Sequence, residues 1–355
     1  MTTKLQKNRP ADTAFKQQKL KSWQPLLTPK NVIPIFLIIG ILFLPIGIAL
    51  YLSSESVKEI VLDYTNCSKG VAPPVPIQRW TYDEANKICT VYFKIFEVYE
   101  KPVYLYYRLT NFYQNHRDYT KSYSPEQLKA GTIYTNKGEI ESKCSPLDFD
   151  KKTGKQYYPC GLIANSFFSD TFSPLNKYDD NDVSTGEQYI FTESGISWSS
   201  DRDKYKNIDV NSLTDDQLNS LIPPKNWQKD FPQYKNGYTR ENFPKLADME
   251  RFQVWMRVAG LPNFRKLYGQ NKIQNLYTGL YSIEIYDVYD VDGFGGTKSV
   301  IISNVSAFGG KNPFLGIGYI IIGGISLLLG IIFLIKNMIN PRKLGDTNYL
   351  SYKTQ

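Results

Sequence analysis

The fold class predicted by this sequence is a membrane protein with two transmembrane helices and a large β-rich domain (antiparallel, α+β, with short helices and two disulfides) in the lumen or outside the cell. Three observations predict it. Two runs of the 355-residue chain, Val32 to Leu52 and Phe314 to Ile335, contain no charged residue. All four cysteines lie between those runs. Alternating β-branched and aromatic residues mark both ends of the intervening segment, in keeping with the 27 tyrosines of the chain.

The elements follow in chain order. Residues 1–31 form a tail carrying Lys4, Lys7, Arg9, Lys16, Lys19, Lys21 and Lys30 against Asp12, a net +6. The first uncharged run, 32–52, has 21 residues and the second, 314–335, has 22. At ~1.5 Å per residue each reaches about 30 Å, the hydrocarbon thickness of a bilayer. A cleaved signal peptide has an apolar stretch of only about 7–15 residues and a small-residue cleavage site. The first run is longer and follows a 31-residue leader, so it reads as an uncleaved signal-anchor.

Residues 336–355, with Lys336, Arg342, Lys343 and Lys353 against Asp346, carry +3; the +8 of the whole chain therefore leaves −1 between the spans. Basic tails around a balanced middle place both ends in the cytoplasm, where anionic lipid attracts them. The pI near 9.0 reflects those tails, and no nucleic-acid partner is expected. Residues 53–313 form the luminal or extracellular domain. In an oxidising compartment, Cys67, Cys89, Cys144 and Cys160 favour two disulfides. Four cysteines allow three pairings; the sequential one, Cys67 with Cys89 and Cys144 with Cys160, closes two short loops and is the expected one. Two glycosylation sequons occur, at Asn66 and Asn304. Asn66 adjoins a cysteine and Asn304 lies close to the second span, so the occupancy of each stays open.

Within this domain Val91–Tyr99 and Val103–Leu109 read as strands. Leu280–Val291 and Lys298–Val305, joined by Asp292-Gly293-Phe294-Gly295-Gly296, read as a hairpin. Strands at both ends imply one antiparallel sheet or a sandwich, with the two spans brought together. Ser124-Pro125-Glu126 opens a short helix closed by Gly131, and Thr214-Asp215-Asp216-Gln217 has capping-box spacing. Lys177–Gln188 and Lys225–Arg240 are polar and read as surface excursions. In the spans, Gly40 and Gly47, and Gly316, Gly323 and Gly330, recur every seven residues, nearly two helical turns, so each set lines one face. Small residues let helix backbones approach in lipid.

Catalysis finds no support. One His in the chain argues against His-based chemistry and against a His/Cys metal site, so no catalytic residue, metal or cofactor is expected. Asp150-Lys151-Lys152-Thr153-Gly154-Lys155 resembles an ATPase phosphorylation motif only superficially; it has one Lys too many and sits between cysteines. His116 has no nucleophile beside it in sequence. Asp179-Asp180 and Asp201/Asp203 lie in polar stretches without calcium-loop spacing. No ionisable group lies in either span, and two helices do not enclose a substrate route.

A set of motifs in fixed order then carries a resemblance. They are Leu27-Thr28-Pro29, Asn111-Phe112-Tyr113-Gln114-Asn115-His116-Arg117, Pro159-Cys160-Gly161-Leu162-Ile163-Ala164, Gly195-Ile196-Ser197-Trp198 and Val254-Trp255-Met256-Arg257. Further on come Leu261-Pro262-Asn263-Phe264-Arg265-Lys266-Leu267-Tyr268, Gly309-Gly310-Lys311-Asn312 and Pro341-Arg342-Lys343-Leu344-Gly345-Asp346. From about Phe15 to Tyr352 the chain resembles the cell-division-cycle-fifty (ligand-effect-modulator) family, the β subunits of type IV P-type ATPase lipid flippases. The resemblance implies a non-catalytic subunit that binds a large ATPase through its spans and luminal domain. It also implies a chaperone-like part in leaving the endoplasmic reticulum and a role in phospholipid movement to the cytoplasmic leaflet. The implied places are the endoplasmic reticulum, Golgi or endosome, and plasma membrane, with membrane lipids as further partners. The family's two sequential disulfides match the pairing above. The alternative is a cell-surface adhesion or ligand-binding membrane glycoprotein.

Overall fold

The structure, a computed structural model, describes residues 10–21, 27–130, 133, 143–179, 181–306 and 309–341. Gly131, Asp180, tail residues 1–9 and motif residues 342–346 lie outside the described residues. Two units emerge: Met1–Ser54 with Asn312–Gln355, and Glu55–Lys311.

The first unit holds two helices, Pro29–Glu55 and Phe314–Ile339, each long and apolar enough to cross a membrane. Both run past the uncharged segments that mark them in the sequence, because Lys30 and Lys336 enter the terminal turns without a helix breaker. At one end the Asn312 N–H donates to Ser54 Oγ at 2.9 Å.

The second unit is built on two antiparallel sheets. Its strands, in chain order, are β1 (Glu59–Asp63), β2 (Ile77–Asp83), β3 (Ile88–Ile95), β4 (Val103–Leu109), β5 (Gln156–Tyr157) and β6 (Thr171–Phe172). Then come β7 (Leu175–Tyr178), β8 (Ser184–Tyr189), β9 (Leu221–Ile222), β10 (Phe264–Asn271), β11 (Gly279–Tyr286) and β12 (Lys298–Ser303). One sheet has the order β1-β12-β4-β10; the other runs β2-β3-β11-β7-β8, with β6 also on β11. β5 and β9 form a short parallel pair.

Side-chain parity explains why these segments are strands. Ile60 and Leu62, Val91 and Phe93, Leu105 and Leu109, Ile283 and Ile285, and Val300 and Ile302 share one buried cluster drawn from both sheets. Their neighbours on each strand turn away, as the period of two requires. The capping box at Thr214 forms as its spacing predicts, on the helix Asp215–Asn219, and a helix covers Pro125–Ala130.

Two expectations are corrected. β11 and β12 do not form a hairpin; they belong to different sheets, and the chain crosses between them over residues 287–297. The Asp-Gly turn is present, with Gly295 left-handed. However, the Val288 and Tyr289 N–H groups, which a continued ladder would use, donate instead to Asp170 Oδ1 at 2.7 and 2.6 Å. Nor is Lys225–Arg240 a surface excursion. Its helix Lys225–Asp230 buries Trp227, whose Nε1 donates to the Ala164 carbonyl at 2.9 Å. The rings of Phe167, Phe231, Tyr234 and Phe252 pack around it. Lys177–Gln188 is a surface excursion as expected, and it carries the β7–β8 pair.

Candidate interaction surfaces

The glycines of the two long helices face one another. A Cβ on Gly40 would lie 2.9 Å from the Leu327 backbone nitrogen, and one on Gly47 2.8 Å from that of Ile320. From the other side, Gly316 meets Tyr51, Gly323 meets Leu44 and Gly330 meets Leu37 at 2.7 to 3.3 Å from backbone nitrogen. Along the first helix these layers fall at 37, 40, 44, 47 and 51, the three–four alternation of a coiled-coil seam. Each layer has one glycine and one large residue, contributed alternately, so two backbones approach without a void. Phe43 and Tyr319 pack beside the seam with ring centres 4.9 Å apart, tilted by 45°. With the glycines turned inward, the outward face is Ile38, Ile41, Leu42, Ile321, Ile325 and Leu328, an apolar surface suited to lipid or to another protein's helices.

In the second unit, disulfides join Cys67 to Cys89 and Cys144 to Cys160. The first ties the turn after β1 to β3; the second closes a loop beside the β5–β9 pair. Loops of this length restrict the unfolded chain by about 3 kcal/mol each. Asn66 is exposed on the turn at Cys67, with its side chain uninvolved in capping. Asn304 is half-buried: its Oδ1 accepts from the Lys58 N–H at 2.8 Å and its own N–H donates to the Lys58 carbonyl at 3.2 Å, extending the β1–β12 ladder.

A charged cluster lies buried where the two sheets meet. Lys298 Nζ, on β12, donates to Asp170 at 2.8 Å, to the Tyr289 carbonyl at 2.6 Å and to Asp287. Asp170 also accepts from Tyr64 Oη at 2.8 Å. Burial works against the ammonium, but Asp170 and Asp287 outweigh it and raise its pKa. Burial raises Asp287 in turn, against the pull of Lys298, and burial with Asp170 pushes Tyr64 well up. Reading by residue type does not find this cluster, yet strand parity carries the signal: Lys298 shares the inward face with Val300 and Ile302. Asp170 leaves no such mark.

Lys266 caps the helix Glu250–Met256. Its Nζ donates to the carbonyls of Val254 at 3.1 Å, Trp255 at 2.9 Å and Arg257. Burial, with the neighbouring Arg257, lowers its pKa to about 7.

The sequence motifs converge around this helix. Gln114 Oε1 accepts from the Ala259 N–H at 2.8 Å, Asn115 donates to the Gly260 carbonyl at 3.0 Å, and Asn111 takes Asn263 Oδ1 on its N–H at 3.0 Å. Trp255 Nε1 donates to the Ile163 carbonyl at 2.8 Å, and Phe112 packs against Trp255, Phe264 and Phe294. Glu250 accepts from the Gly195 and Ser197 N–H groups at 2.9 and 2.8 Å. Gly161 has φ of 98°, and a Cβ there would run into the Ser122 carbonyl, so only glycine fits. These residues hold one another.

Apart from Asp201, which is buried, the remaining singled-out residues are surface features. His116 is exposed ahead of the short helix Arg117–Lys121. Asp150 holds its own turn through Thr153 at 2.8 Å. Asp179 closes the β7–β8 turn by accepting from Asn181 and Val183. Asp201 bridges Lys204 and Arg257. The arrangement is that of a scaffold carrying surfaces.

Comparison with known proteins agrees. Residues 50–343 match the family described as "LEM3 (ligand-effect modulator 3) family / CDC50 family". The chain is 38% identical to the phospholipid-transporting ATPase accessory subunit CRF1 of Saccharomyces cerevisiae over 372 residues, covering 98% of this chain and 90% of that one. It is 36% identical to the accessory subunit CDC50 of Chaetomium thermophilum over 382 residues, with 98% and 91% covered. It is 38% identical to cell cycle control protein 50A of Bos taurus over 341 residues, with 93% and 89% covered. Two apolar helices closed by a glycine seam, a twice-stapled β unit, the motifs that knit it and a match over most of the chain lead to one conclusion: the chain belongs to the LEM3/CDC50 family.

Proposed function

We propose that this chain is the non-catalytic accessory (β) subunit of a type IV P-type ATPase phospholipid flippase. The observation that carries the reading is near full-length similarity to a protein named as a phospholipid-transporting ATPase accessory subunit. The physical reading supports it: motif side chains serve the fold, while the two helices offer an apolar outer face. In this role both tails are cytoplasmic, residues 32–52 and 314–335 span the bilayer, and 53–313 form the luminal or extracellular domain. The subunit assists folding of the ATPase and its exit from the endoplasmic reticulum, then travels with it to Golgi, endosome or plasma membrane. Exposed Asn66 is the better-placed glycan acceptor; Asn304 is already engaged by β1. The outer helix face, lined by Ile38, Ile41, Ile321 and Ile325, meets the helices of the ATPase, while the inward glycines close the chain's own pair.

The test is a tagged pull-down from native membranes in mild detergent, with partners identified by mass spectrometry. A near-stoichiometric P-type ATPase is the expected result. A chain recovered alone, mature and at the cell surface would refute the reading in favour of a receptor.

A further inference from the structure

We propose that the free edge of β1 takes up an extended segment of the catalytic ATPase as an added strand, with an acidic side chain of that segment meeting Arg108; the partner's identity rests on the function proposed above. β1 ends its sheet and has β12 as its one ladder neighbour among the described residues. The ladder uses Lys58 and Tyr64 backbone groups: the Tyr64 N–H donates to the Lys298 carbonyl at 3.3 Å, and the Lys58 carbonyl accepts from Asn304 at 3.2 Å. By the two-residue alternation of an antiparallel pair, the N–H and C=O of Glu59 and Val61 point the other way. Among the described residues nothing bonds to them. Such an edge is a template for pairing, and proteins normally cover it. The opposite edge of the same sheet is covered, where Gln270 of β10 and Thr192 exchange both backbone hydrogen bonds at 2.9 Å.

A groove of about 690 Å³ runs along β1. Its facing wall is the end of β3, Lys94 to Phe96, with Val75 and Pro76. Phe96 is 76% exposed and Val75 94% exposed, so the wall offers uncovered apolar surface.

Charge selects the segment. The groove's acids are largely engaged: Glu97 by Lys58 at 3.0 Å, Glu59 by Arg265 at 2.6 Å, Glu55 by Lys311 at 3.9 Å, and Asp63 by Thr65 at 2.7 Å. Arg108 has no carboxylate among the described residues; its Nη2 donates to Ser299 Oγ at 3.2 Å, and its Nε is buried with no acceptor. Lys94 lies over the Phe96 ring, 6.0 Å from its centre. A carboxylate entering with the segment would give the Arg108 guanidinium its anionic partner. A lipid phosphate would meet Arg108 but would leave the row of Glu59 and Val61 backbone groups unpaired, so the geometry favours a peptide strand.

Hydrogen exchange on the purified complex of the full chain with its ATPase tests this. The Glu59 and Val61 amides are expected to exchange at least about tenfold slower in the complex than in the chain alone. Val61→Pro removes only the outward N–H, a substitution an edge strand tolerates. It should lower recovered ATPase about tenfold while leaving the melting temperature of the chain alone unchanged. Arg108→Gln should act in the same direction, with partial rescue by Arg108→Lys. Edge amides that exchange equally fast in and out of the complex overturn the proposal. So does slowing produced by vesicles of anionic phospholipid without the ATPase, which would give the groove to headgroups. If the wild-type chain captures no ATPase, the functional reading fails and this inference falls with it; capture with a fast-exchanging edge sinks the inference alone.

Discussion

Lys298→Met is expected to destabilise the β unit strongly without unfolding it. Lys298 is 3% exposed, and its ammonium faces two carboxylates, Asp170 and Asp287, whose side chains are also buried. Methionine fills nearly the same volume, so little packing is lost; what remains is a pair of buried acids without a cation. Removing one partner of a buried ion pair costs about 3–5 kcal/mol, a large part of the roughly 5–15 kcal/mol that holds a domain folded. For a domain of this size each kcal/mol moves the midpoint by about 2–4 °C. The melting temperature, followed by tryptophan fluorescence of the purified complex, should therefore fall by about 6–20 °C. The second variant, Lys298→Met with Asp287→Asn, separates charge from packing. It leaves one carboxylate, Asp170, which still accepts from Tyr64 Oη and from the Val288 and Tyr289 N–H groups. That variant should recover a substantial part of the loss. A single variant that melts within about 2 °C of wild type would refute the argument, because the cluster would then contribute less than about 1 kcal/mol. A double variant no better than the single would show that packing, not charge, was lost.

Gly40→Leu should cost about 1–3 kcal/mol of helix pairing, since its Cβ already meets Leu327 backbone; Gly40→Leu with Leu327→Gly restores one small and one large residue to the layer and should recover complex yield in pull-downs. Cys144→Ser and Cys160→Ser should each cost about 2–5 kcal/mol and leave the chain retained in the endoplasmic reticulum, read by immunofluorescence and complex recovery; normal trafficking of either would contradict an essential staple. Burial raises the Asp230 carboxyl above its unfolded value despite the hydrogen bond from Ser169 Oγ. Its contribution is full below the unfolded pKa and lost as pH rises through the folded one. Asp230→Asn should therefore raise the melting temperature at pH 7 and lose that advantage towards pH 4.

What the sequence made legible was local. Charge-free length marked the spans, the cysteines implied staples, and alternation placed β4 residue for residue because both its faces follow period two. The rest of the fold is set by distant partners. Asp170, remote in sequence, takes the backbone donors that would have extended β11 towards β12, and no local pattern encodes that. The polar stretch 225–240 is different: Trp227, Phe231, Tyr234 and Tyr238 recur at helical spacing in the sequence, a legible apolar signal masked by the charges around it, although the helix itself ends at Asp230. β1, at five residues, is too short to show a strand pattern, and β10 carries a motif rather than an alternating one.

The motifs that identify the family mostly turn inward, and this decides where a partner contact can be tested. Gln114 and Trp255 are fully buried and bonded to backbone, Gln114 to Ala259 and Trp255 to Ile163, so changing them removes the fold and any contact together. Three of those same motifs nevertheless leave one large side chain in solvent: Tyr113, Trp198 and Leu261. None is needed for the core, and Trp198 sits under the Arg257 guanidinium at 5.2 Å. Exposed aromatic and arginine side chains dominate binding energy where an interface forms. A loss of assembly on changing Tyr113, Trp198 or Leu261 would report contact, whereas the same loss at Gln114 or Trp255 would report only unfolding.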